Sequence, residues 1–94
     1  MNNIQSIADF KRALTVGSRW EATHEYINNN PTPPKNLGVR EVGKVQSNSF
    51  AFKTEHNSLS WCDWPKKNQF STEDNGNTVV ITTDFCRLRY TEQL

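Results

Sequence analysis

This chain of 94 residues has few of the features that mark the larger functional classes. No apolar run approaches the roughly 20 residues needed to span a bilayer. The opening stretch Met-Asn-Asn-Ile-Gln-Ser-Ile-Ala-Asp-Phe has neither a basic start nor an unbroken apolar segment, so no signal peptide is expected. The expected location is therefore cytoplasmic, with no membrane partner. Only two cysteines occur, Cys62 and Cys86, and in that compartment reduced thiols are the default. With four glycines there is no Gly-rich loop to cradle a phosphate. The chain is also too short for a doubly wound nucleotide fold or an α/β barrel.

Charge of one sign is missing as well. The formal net charge is +1, and Lys/Arg and Asp/Glu are spread over both halves. No basic block or acidic tail supports strong binding to nucleic acid or membrane. Apolar residues are scarce, at 34%, which would point to disorder if the net charge were high. What is present is aromatic: three Trp, five Phe and two Tyr, each able to bury a large area. One folded domain over 1–94, with a small aromatic core, is the reading that fits both facts.

Ile4, Ile7, Phe10, Ala13 and Leu14 recur at three- and four-residue steps and predict a helix over 3–14. Asn2 or Asn3 can cap it, and Ser6 with Asp9 forms a second capping pair one turn later. After Gly17 the period changes to two. Trp20, Ala22, His24 and Tyr26 alternate with Arg19, Glu21, Thr23 and Glu25, which predicts a half-buried strand with Trp20 and Tyr26 toward the core. Residues 28–36, Asn-Asn-Asn-Pro-Thr-Pro-Pro-Lys-Asn, exclude helix and central strand and form a flexible surface loop.

Leu37, Val39, Val42 and Val45 mark the next strand, with a phase slip beside Gly43 that suggests a bulge. Phe50, Phe52 and Thr54 mark a third strand. In a fourth, Leu59 and Trp61 share one face, and Ser60, Cys62 and Trp64 the other; Trp61 is expected in the core. Asn75-Gly76 is a strong hairpin signal. The β-branched run Thr78–Thr82 and the alternation Cys86, Leu88, Tyr90 complete the pattern.

The expected fold class is α+β and mainly β. One N-terminal helix covers a five- or six-stranded antiparallel meander over about 18–91, curled into a small, partly open barrel. The layout resembles SH3-like and other small β-barrels, which implies a binding module. Size and an Asn/Thr-rich composition resemble accessory proteins of bacteria and their phages, which implies an inhibitor or adaptor.

Chemistry-bearing patterns are few. His24, His56, Cys62, Cys86 and Asp63 lack the close ligand pairs of a zinc site, so no metal is expected. No nucleophile elbow or dinucleotide fingerprint occurs, so no catalytic residues and no cofactor are expected. The most distinctive stretch is Trp61-Cys62-Asp63-Trp64-Pro65-Lys66-Lys67. Trp64 either closes the barrel end or stands exposed beside Lys66 and Lys67. An exposed Trp64, with Lys66, Lys67, Arg87 and Arg89, would make a binding face, because flat aromatics beside cations suit both interfaces and base stacking. The leading expectation is a non-enzymatic module for a protein partner. The alternatives are a single-stranded nucleic-acid binder using the same residues, and a self-associating protein that pairs an exposed strand edge.

Overall fold

The computed structural model describes residues 3–93. A helix, α1 (Ile7–Ala13), is followed by seven strands: β1 (Arg19–Tyr26), β2 (Lys35–Val45), β3 (Ser49–Lys53), β4 (Leu59–Asp63), β5 (Phe70–Glu73), β6 (Thr78–Thr82) and β7 (Cys86–Gln93). All pairings are antiparallel, in the order β4-β3-β2-β1-β7-β6-β5. The chain is thus α+β and mainly β, with a barrel-like sheet. Its seven strands exceed the expected five or six, because β5 carries a single apolar residue and gives no apolar alternation in the sequence.

Phe10, on α1, sits at the centre of the fold. Its ring meets Trp20, Phe50, Trp64, Phe70 and Tyr90 at centroid distances of 5.7–6.4 Å. Those residues span the sheet from the β4 side to β5, so the sheet curls around this ring. Ile4, Leu14, Trp20, Val42, Phe50 and Val79 are fully buried around it. Trp20 keeps its indole N–H satisfied within this core by donating to Ser18 Oγ at 2.9 Å. The aromatic content is what allows so lean a chain to enclose a core.

Four expectations need correction. The helix starts at Ile7 rather than residue 3, because Ser6 caps it: Ser6 Oγ accepts from the Asp9 amide at 3.1 Å. Ile4 instead runs alongside the β5–β6 hairpin, its amide donating to the Gly76 carbonyl at 3.1 Å. Asn2, the other proposed cap, lies outside the described residues. The Asn/Pro loop is shorter than predicted, because Lys35 and Asn36 already pair with His24 and Thr23.

Tyr26 is in phase with the core face of β1 yet 53% exposed, because it stands at the strand end, beyond the reach of the core. Trp61 is 46% exposed, not buried. β4 presents Ser60 and Cys62 inward instead, and Leu59 shares the outward face with Trp61. The bulge beside Gly43 is present, with the register against β3 shifting between Val42 and Lys44.

Candidate functional site

The five residues nominated from the sequence do not form one face. Trp64 follows β4 on its inner side. Its ring packs on Phe50 at 4.6 Å and edge-on to Phe10 at 5.7 Å, and its Nε1–H donates to the Gln46 carbonyl at 2.9 Å. Lys11 Nζ lies 5.4 Å from the ring centroid, so the cation beside Trp64 comes from α1. Trp64 is half-buried and closes the barrel end. Lys66 and Lys67 are exposed on the connection to β5, where the Lys66 amide donates to Gln69 Oε1 at 3.0 Å.

Arg87 and Arg89 lie on the opposite, outer face of β7, since Leu88 and Tyr90 take the inner one. Both arginines are engaged. Glu25 Oε1 accepts from Arg89 Nη1 at 2.7 Å and from Arg87 Nη1 at 3.2 Å, and Glu73 Oε1 accepts from Arg89 Nε at 3.0 Å. The hydrogen bond from Arg89 holds the Glu25 carboxyl below its ordinary range, with the charges of both arginines adding to it. The outer face therefore carries its own counter-charges.

A different site emerges at the end of the sheet where Tyr26 stands. Tyr26, Asn28, Asn29, Asn30, Thr32 and Phe85 line an open cleft of about 500 Å³. Phe85 is 64% exposed, just ahead of β7. The walls are tied together. The Ile27 amide donates to the Phe85 carbonyl at 2.9 Å, and the Thr32 amide to the Tyr26 carbonyl at 3.1 Å. Thr32 Oγ1 accepts from the Tyr26 amide at 3.1 Å, and the Asn28 side chain donates to the Asp84 carbonyl. Asn29 takes φ +68°, a left-handed conformation that asparagine tolerates, and this folds the loop back over the cleft. His24 packs edge-on to Tyr26 at 4.8 Å and fixes that ring from below.

The sequence pattern hides the cleft, because Tyr26 continues a core alternation and Phe85 falls in phase with the outward residues Arg87 and Arg89. The available signal was position. Both aromatics are the last or first residue of a strand pattern, beside the most proline- and asparagine-rich loop.

Among the described residues, no cluster of three or more His, Cys, Asp or Glu is placed to hold a metal. Cys62 and Cys86 are free thiols. Burial pushes the Cys62 thiol pKa up, and its Sγ lies 4.0 Å from the Tyr90 hydroxyl. No helix among the described residues is long and apolar enough to cross a membrane. Comparison with protein-family models, with curated proteins and with solved structures gives no match.

Proposed function

We propose that the chain is a small, non-catalytic binding module that takes a protein partner at its loop end, in the manner of an inhibitor or adaptor. The observation that carries this reading is the pair of exposed aromatics, Tyr26 and Phe85, over a cleft whose walls are hydrogen-bonded to each other. Aromatic side chains dominate interface hot spots because they bring large, rigid contact area. The amides of Asn28, Asn29 and Asn30 supply donors and acceptors around that apolar floor. Loops held on a rigid scaffold are the usual seat of recognition.

The alternative reading, single-stranded nucleic acid, has less support. Arg87 and Arg89 are neutralised by Glu25 and Glu73, and Trp64 faces the core rather than the cationic side chains beside it in sequence.

The test is affinity capture from a cell lysate on the immobilised chain, beside a Tyr26→Ala/Phe85→Ala variant of unchanged thermal midpoint. The expected result is a set of proteins retained by the parent chain and lost by the variant. Capture of nothing by the folded chain, or the same set by both, overturns the proposal.

A further inference from the structure

The seven-stranded order leaves two edges, β4 and β5, and they differ. Along β5, the Asn3–Gln5 segment borders Thr72 and is tied to the following turn through the Ile4–Gly76 hydrogen bond. Among the described residues, β4 pairs with β3 alone.

The direction of the β4 backbone groups follows from the ladder. In an antiparallel pair, hydrogen-bonded and non-bonded residue pairs alternate. The Thr54 amide donates to the Ser58 carbonyl and the Trp64 amide to the Asn48 carbonyl. Hydrogen bonds toward β3 therefore belong to Ser58, Ser60, Cys62 and Trp64. The N–H and C=O of Leu59, Trp61 and Asp63 point away from the sheet. None of the three has a backbone partner among the described residues, and all three are exposed. β4 also lacks the usual guards of an edge: its register against β3 is regular, and it contains no proline and no lysine.

We infer that the free edge of β4 is a self-association site, where a second copy of this chain adds its own β4 antiparallel about a twofold axis at Trp61. That register sets Trp61 opposite Trp61 of the second copy and Leu59 opposite Asp63. Each of these three pairs exchanges two N–H···O=C bonds, so every outward backbone group of both strands is satisfied. The Leu59 and Trp61 side chains of both copies then form one continuous apolar strip on the outer face. The only charge on the strand, Asp63, sits at its end, so the two copies of it fall roughly 14 Å apart along the strands, beyond a Debye length. A parallel pairing lacks this symmetry and brings the carboxylates together. The site is remote in the chain from the Tyr26–Phe85 cleft and does not depend on the function proposed for it.

The test is sedimentation equilibrium of the full chain over a range of concentrations, with amide exchange followed by NMR at both ends of that range. The expected result is a dimer that grows with concentration. The amides of Leu59, Trp61 and Asp63 gain protection in it, while those of Ser60 and Cys62 stay as they were. Trp61→Lys, which sets two cations face to face, removes both effects. Trp61→Pro, which removes an outward-pointing N–H together with the indole and leaves the hydrogen bonds toward β3 in place, serves as the second variant. A monomer at every concentration overturns the inference. So does association that survives in both variants, or that protects a different set of amides.

Discussion

Gly76 and Ile4 lie back to back: the Ile4 amide donates to the Gly76 carbonyl at 3.1 Å, and a Cβ on Gly76 would stand 2.7 Å from both Ile4 N and Ile4 O. The contact pins the segment ahead of α1 to the β5–β6 hairpin. Gly76 also holds φ +88°, so a side chain there is opposed twice, by its own backbone and by its neighbour's. Gly38 has a similar φ of +85° but open space around it.

The pair separates strain from collision. Gly38→Ala is expected to cost about 1 kcal/mol, the penalty for a left-handed backbone alone. Gly76→Ala is expected to cost about 2–3 kcal/mol, since the Ile4 hydrogen bond is displaced as well. Urea denaturation of the two variants checks the difference. Equal losses would show that Ile4 gives way without cost.

Of the two tryptophans at the β4 end, Trp64 closes the barrel end, one of the two placements its sequence allows, whereas Trp61, expected in the core, faces outward. Trp64→Ala is expected to remove about 2–4 kcal/mol, because the ring closes the core over Phe10 and Phe50. Trp64→Phe is expected to lose about 1 kcal/mol, the hydrogen bond to the Gln46 carbonyl. Trp61→Ala is expected to cost about 1 kcal/mol or less, since nearly half of that side chain is already in water. Thermal melts of the three variants give the order directly. A larger loss at Trp61 than at Trp64 would contradict the packing described here.

Those tryptophans also show where the sequence was legible. The odd spacing of Trp61 and Trp64 placed them on opposite faces of β4. Which face was inner depended on β3, whose Phe50 and Phe52 stand opposite Cys62 and Ser60 across the ladder. Register between strands is a non-local property, and no count within β4 contains it. The same limit hid the counter-charges of Arg87 and Arg89. Glu25 lies more than sixty positions away in the chain and becomes a neighbour only because β7 pairs with β1. Local signals fared better: the slip at Gly43, the Ser6 cap and the Asn75-Gly76 turn each state their geometry within a few residues.

Acid should weaken the fold through Glu25. The Arg89 hydrogen bond, with the charges of Arg89 and Arg87, sets its folded pKa below the unfolded value. The stabilisation is thus complete above the ordinary carboxylate pKa of about 4.3 and is lost as pH falls through the lower folded value. Glu25→Gln is expected to be less stable than the parent chain at pH 7, with the gap closing in strong acid. Denaturation midpoints at both pH values check this. A gap that stays constant across the range would mean that the arginines do not sense the charge on Glu25.

Glu92 titrates in the opposite sense. It stands across from Trp20 on the β1–β7 ladder, and its Oε1 is buried with no hydrogen-bond partner among the described residues. Burial pushes its carboxyl pKa above the ordinary value. A folded pKa above the unfolded one means that the folded state binds the proton more tightly, so the ionised form opposes folding at neutral pH. That penalty disappears as pH falls through the raised folded value toward about 4.3. Glu92→Gln removes the charge while keeping the shape. It is expected to raise stability at pH 7 and to lose that advantage as the pH falls toward about 4.3, where the parent carboxyl takes up its own proton. The two glutamates therefore predict stability changes of opposite sign at neutral pH, each shrinking in acid. If Glu92→Gln destabilises the chain at pH 7, the carboxylate holds a favourable partner and its burial is not a cost.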